Sequence, residues 1–236
     1  AGRGRWCQLI GASQGQWAYD APQLYNEAGS TATLIVRAPG WRVSGFRLVG
    51  DTGSPIILEL PLAQAGSTAD TDWAPGTMID NNVFYGAVAS CSGINFNGAP
   101  PDVRILNNIF ELFPTASNPC IESTASGVAN AYRCTVANNQ FMDSVEYINM
   151  ATRGFNSSHI FGNSFDTGHI NTVTTYLDIS GGNDNVVFDN IFPGDYSNTG
   201  GYTAGTGDTW AGNFADDTAE TEVGTDTGIT LLVPAA

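Results

Sequence analysis

Apolar and polar positions alternate with a period of two in short runs, and Gly, Asn, Asp and Ser break the runs apart. Gly93-Ile-Asn-Phe-Asn97, Tyr147-Ile-Asn-Met150 and Thr175-Tyr-Leu-Asp-Ile179 have the alternation of half-buried strands. A longer signal recurs between such runs. It reads Ile79-Asp-Asn-Asn82-Val-Phe84, Ile105-Leu-Asn-Asn108-Ile-Phe110, Val136-Ala-Asn-Asn139-Gln-Phe141, Ile160-Phe-Gly-Asn163-Ser-Phe165 and Val187-Phe-Asp-Asn190-Ile-Phe192. Its consensus is an aliphatic residue, two variable ones, Asn, one variable residue and Phe. The asparagines are 26, 31, 24 and 27 residues apart. A degenerate copy, Val43-Ser-Gly-Phe-Arg-Leu48, lies one long coil earlier.

A repeat of this length belongs to a solenoid. The unit is extended on both sides of a turn-forming Asn, which excludes helical repeats, and the Leu-x-Leu ladder of leucine-rich repeats is absent. The pattern predicts an all-β, right-handed parallel β-helix with coils of about 24–36 residues. The aliphatic residue points inward, and the consensus Asn takes the bent, left-handed turn that this residue tolerates. Asn82, Asn108, Asn139, Asn163 and Asn190 are expected in one file, their side chains bonding turn backbone above and below. Phe84, Phe110, Phe141, Phe165 and Phe192 are expected to stack inside, each burial worth about 1.5–3 kcal/mol. Irregular spacing is tolerated because insertions bulge out as loops.

The β-helix is expected over residues 1–194. The opening residues read as a turn running straight into a strand, so N-terminal coils are expected to be lacking. Residues 195–236 form an acidic, Gly/Thr-rich coil ending in a capping strand over 228–233. Between 195 and 228 there are seven Gly, seven acidic residues and no basic one. Gly, Ser, Thr, Pro and Ala cluster at 50–77 and 111–132, which read as long loops suited to binding.

Composition narrows the picture. The 236 residues suffice for one elongated domain, and the absence of lysine argues against helical surfaces. A net charge of −15 and a pI near 4.1 repel phosphate backbones, so nucleic acid is not an expected partner. No apolar run approaches the ~18 residues that cross a bilayer. Cys7, Cys91, Cys120 and Cys134 show no CxxC pair and no zinc spacing, and are expected as free, buried thiols. Pairing of Cys120 with Cys134 stays open.

For chemistry, Arg37-Ala-Pro-Gly-Trp-Arg42 resembles the Arg-x-Pro-x-x-Arg pattern of pectate lyases. The resemblance implies Arg37 as the base, with Arg42 beside it and Ca²⁺ held by neighbouring Asp residues, the cation and arginine stabilising an enolate-like charge. The Trp-Ile-Asp-His segment of that family is missing, and Trp17-Ala-Tyr-Asp20 stands only distantly for it. Without the lyase arrangement no metal is called for. Gly168-His169 resembles the Gly-His-Gly of polygalacturonases, but Ile170 replaces the second Gly and the paired aspartates are absent. Asp80 and Asp189 are read as equivalent coil positions several coils apart. His159 and His169 are expected at surfaces or turns. Trp41, Trp73, Tyr85, Tyr132 and Trp210, with Tyr196 and Tyr202, are candidate exposed aromatics for stacking on sugars.

The Asn-Asn-x-Phe coils resemble the pectate-lyase-like β-helix superfamily over about residues 43–192. Within it, residues 1–50 and the ending from Thr209 onward resemble proteins of tailed bacteriophages. That resemblance implies a homotrimeric spike, fibre or capsid decoration protein on the virion surface. Its expected partners are other virion proteins and host surface polysaccharide, and no catalytic set is called for. A polysaccharide lyase or glycoside hydrolase acting on acidic polysaccharide is the alternative, and a bacterial surface adhesin the third.

Overall fold

The computed structural model describes residues 7–11, 21–25, 32–50, 56–61, 74–86, 91–124, 130–166, 171–193, 201–216 and 222–223. They are all-β, and their strands stack into a parallel β-solenoid. Among the described residues the first seven coils each contribute a strand to each of three sheets, and the last contributes to two of them. Sheet 1 has eight strands: Cys7–Ile10, Trp41–Ser44, Met78–Asp80, Arg104–Leu106, Thr135–Ala137, His159–Phe161, Val186–Phe188 and Thr209–Ala211. Sheet 2 runs from Gln23–Tyr25 through Arg47–Val49, Val83–Tyr85, Ile109–Glu111, Gln140–Met142, Ser164–Phe165 and Ile191–Pro193 to Asn213–Asp216. Glu222–Val223 then pairs antiparallel at its far edge. Sheet 3 holds Leu34–Ile35, Ile56–Leu60, Ser92–Phe96, Ile121–Ser123, Glu146–Asn149, Thr175–Asp178 and Tyr202–Thr203.

Register turns the sequence repeat into columns. Val43, Ile79, Ile105, Val136, Ile160, Val187 and Trp210 align inside sheet 1. Leu48, Phe84, Phe110, Phe141 and Phe165 align inside sheet 2, and Leu58, Ile94, Ile121, Ile148 and Leu177 inside sheet 3. Every one of these residues is buried. From Phe84 to Phe192 the rings stack at 4.7–4.9 Å with interplanar angles of 2–11°. That distance is the strand spacing itself, so in-register pairing alone brings like rings face to face.

The asparagine file lies between sheets 1 and 2. Asn82, Asn108, Asn139, Asn163 and Asn190 are fully buried, and Asn213 extends the file by one coil. Asn139 shows the pattern. Its Nδ2 donates to the Ile105 carbonyl at 2.9 Å and to Asn163 Oδ1 at 3.0 Å. Its Oδ1 accepts from the Asn108 backbone N–H at 2.9 Å and from Asn108 Nδ2 at 3.1 Å. Two donors and two acceptor sites are all used, so the amide is buried with nothing left unpaired.

The left-handed residue is not the one expected. The residue before each file member has positive φ: Asn81, Asn107, Asn138, Gly162, Asp189 and Gly212, between 53° and 64°, and Gly45, before Phe46 one coil earlier, has it too. The consensus Asn serves as the hydrogen-bonding plug, and its neighbour makes the bend. The two tasks exclude each other: the plug must aim its amide along the axis inside the stack, whereas the bend sits outside it. Asp189 therefore stands in the turn column, while Asp80 aligns with Ser44 and Leu106 within sheet 1. The two aspartates are not equivalent.

Further departures follow from continuous stacking. Tyr202–Thr203, Thr209–Ala211 and Asn213–Asp216 join sheets 3, 1 and 2, so the solenoid runs past the boundary expected at 194. The span 50–77 contains the sheet 3 strand Ile56–Leu60, and 111–132 contains Ile121–Ser123 and Ala131–Tyr132. The expected cap at 228–233 lies outside the described residues. None of the four cysteines is in a disulfide; Cys91, Cys120 and Cys134 are buried, whereas Cys7 is exposed.

Candidate functional site

The two arginines of the lyase-like segment end in different places. Arg42 is held by Asp80 in a two-pronged ion pair, Nε to Oδ1 at 2.8 Å and Nη2 to Oδ2 at 2.6 Å. Ser44 Oγ and Asn81 Nδ2 also donate to Asp80 Oδ2, at 3.2 and 2.7 Å. This carboxylate is therefore saturated. Arg37 is exposed beside a cavity of about 230 Å³ in the first coils, lined mainly by Leu9, Leu34, Val36, Trp41 and Val43. An apolar lining and an engaged aspartate do not fit a calcium ion. Among the described residues no group of three or more His, Cys, Asp or Glu side chains is placed to hold a metal.

The aromatic candidates also divide. Trp210 is fully buried, its ring 5.4 Å from Tyr202, and both pack in the core of the last coils. Neither is a surface platform: Trp210 takes the inward position that Val187 holds one coil before. Tyr85 is half-buried beneath the Arg47 guanidinium, 4.5 Å from its ring centroid. Tyr132 is 37% exposed and lies beneath Arg133, which is itself paired bidentately with Asp102 at 2.8 and 2.9 Å. Trp41 is half-buried and packs on the core. Trp73, Tyr196 and His169 lie outside the described residues, and His159 is exposed on sheet 1.

The outer face of sheet 3 assembles a set of groups that sequence did not single out. Register places Glu59, Asn95, Glu122, Asn149, Asp178 and Thr203 in one column, acids alternating with amides as far as Asp178 and a hydroxyl following. Strand alternation turns this column outward, because Leu58, Ile94, Ile121, Ile148 and Leu177 point inward. Asn97 Nδ2 donates to Glu59 Oε1 at 2.7 Å, and Asn95 Nδ2 donates to Glu122 Oε1 at 3.1 Å. Thr124 Oγ1 donates to Asn95 Oδ1 at 2.9 Å, and Asn149 Nδ2 to Glu146 Oε2 at 3.0 Å. Glu59 and Asn95 are buried, whereas Glu122, Glu146, Asn149 and Asp178 are half-buried and reach solvent.

Electrostatics separate these carboxyls from ordinary surface acids. Burial pushes the Glu122 carboxyl up to about 7; the Ser92 hydroxyl opposes this and the charge of Glu146 adds to it. Burial also raises Glu146, whose bond from Asn149 opposes the shift while Asp178 adds to it. No strand of sheet 3 carries a basic residue to offset them. A half-buried acid that keeps its proton near neutrality, beside a second carboxyl, can donate a hydrogen bond or a proton.

A second polar file precedes sheet 1. Ser158 Oγ accepts from the Cys134 N–H, Asn185 Oδ1 from the Ser158 N–H, and Asp208 Oδ1 from the Asn185 N–H, at 2.9, 3.1 and 2.8 Å. Its residue type changes at every coil, so no sequence motif marks it. Its last described member is an aspartate, which accepts from Asn185 and Gly205 and has no amide hydrogens to place. Both files serve the scaffold.

Among the described residues no helix is long and apolar enough to cross a membrane. In comparisons with protein-family models, with curated proteins and with solved structures, the chain finds no match.

Proposed function

We propose that the chain is a rigid β-helical attachment protein of a bacteriophage virion surface, holding host polysaccharide along the outer face of sheet 3. The observation that carries this reading is the outward column Glu122, Asn149 and Asp178, with Glu146 beside it. Carboxyls and amides spaced one coil apart offer paired donors and acceptors to the hydroxyls of an extended glycan, on a scaffold too stiff to lose them. The virion setting rests on the resemblance of both chain ends to phage proteins. Homotrimer formation and contacts with other virion proteins belong to the same proposal. Binding is measured by co-sedimentation or interferometry of the full chain with host-surface polysaccharides. The expected result is retention without new reducing ends, weakened at least tenfold in Asn149→Ala and Asp178→Ala. Retention unchanged in both variants would remove sheet 3 from the site, and no retention by any surface glycan would defeat the attachment role.

A second reading is favoured by the charge of Glu146, close enough to raise the Glu122 carboxyl. A glycoside hydrolase needs one carboxyl protonated near neutral pH and another able to ionise, and Glu122 meets the first need. Release of reducing ends, abolished in Glu122→Gln, would replace attachment by hydrolysis as the function.

A further inference from the structure

Sheet 3 stacks acids with no cation. Glu122 is joined to the preceding coil through Asn95, a buried amide that is itself fixed by Thr124. Toward the next coil its register partner is Asn149, which donates to Glu146, so that the charges of Glu146 and Asp178 lie on the same face. The groups around it can be named strand by strand. Ser92–Phe96 brings no titratable residue, Glu146–Asn149 brings Glu146 and Tyr147, Thr175–Asp178 brings Tyr176 and Asp178, and Ile56–Leu60 brings Glu59, bound by Asn97. None is basic, so among the described residues a charge on Glu122 meets like charges, the Asn95 amide and the Ser92 hydroxyl, and no counter-ion.

We propose that this column is a proton-operated clamp: with Glu122 neutral the coils of sheet 3 lock together, and with Glu122 ionised they separate more readily. The physical cause is a carboxylate that loses water on folding and gains no counter-ion, which disfavours the ionised folded state. The sign follows from proton linkage. In the unfolded chain Glu122 ionises near its ordinary value of 4.5, and in the folded chain near about 7. Between those values the folded chain holds a proton that the unfolded chain does not. Stability is therefore greatest on the acid side and declines as pH rises through 7. The Asp102–Arg133 pair works in the opposite sense, since the Arg133 guanidinium holds Asp102 below its usual value, but that pair is exposed and weak.

Thermal unfolding of the full chain at pH 5.5 and pH 8.5 tests the clamp. Wild type is expected to melt at least roughly 5 °C higher at pH 5.5. Glu122→Gln, which keeps the shape and removes the charge, is expected to raise the alkaline melting point and shrink the difference by more than half. Equal melting points in wild type, or a difference that survives in Glu122→Gln, would overturn the clamp. Should that variant not fold, carboxyl-carbon NMR of wild type serves instead. A Glu122 midpoint near 7 supports the clamp, and one near 4.5 overturns it. Hydrogen exchange locates the effect: alkaline loosening is expected at the amides of Ile94, Ile121 and Ile148 and not at Val136 and Ile160. Equal loosening of both sets would overturn a device confined to sheet 3.

Discussion

A single buried amide shows what each residue of the file contributes. Replacing Asn139 by Ala would strip the Asn108 backbone N–H and side chain of their acceptor, and the Ile105 carbonyl of its donor. Each buried group left unpaired costs about 1–3 kcal/mol, so Asn139→Ala is expected to destabilise the chain by about 3 kcal/mol or more. Denaturant unfolding measures this, and a change below about 1 kcal/mol would mean that water enters and replaces the amide. At this scale the sequence was readable because one residue type does the work at every coil. The neighbouring bend was misassigned because Asn suits both tasks: Asn81, Asn107 and Asn138 bend while Asn82, Asn108 and Asn139 plug. Only the coils with Gly162, Asp189 and Gly212 at the bend keep the roles apart.

Among the elements, sheet 2 is the most uniform. Phe141 lies between Phe110 and Phe165 with centroids 4.9 Å from each. Phe141→Ala would open a void between two rings held apart by backbone pairing, at a cost of about 3–5 kcal/mol, while Phe141→Leu would cost less. Unfolding of both variants checks the order, and equal losses would show that ring stacking rather than filled volume matters. Sheet 3 is harder to read. Its acid–amide column joins Glu59, Asn95, Glu122, Asn149 and Asp178 across loops of unequal length, and no two successive members are the same residue. Composition reveals the acids but not their alignment. The same reason hid the Cys134, Ser158, Asn185 and Asp208 file, because any small side chain with an acceptor can fill it. Trp210 misled in the other direction. Its Asp- and Gly-rich surroundings read as surface, yet its coil position is that of Val187.

For the whole molecule, each coil is supported by its two neighbours, so stability follows position along the axis. Among the described residues, Cys7–Ile10 pairs only with Trp41–Ser44, while Thr135–Ala137 pairs on both sides. Amides of Cys7–Ile10 are expected to exchange with solvent before those of Thr135–Ala137. Equal protection would mean that the stack opens as one cooperative unit.

The amino-acid sequence by itself determined the solenoid, the inward phenylalanines and the plugging asparagines, because stacking demands the same chemistry at the same place in every coil. It also determined the acidic surface. Tertiary structure alone decided which polar residues from different loops share a face. It engaged Arg42 with Asp80, buried Trp210 and set Glu122 beside Glu146. Those outcomes depend on register, and register is set by how much chain each loop takes up between strands, a quantity that local pattern does not record.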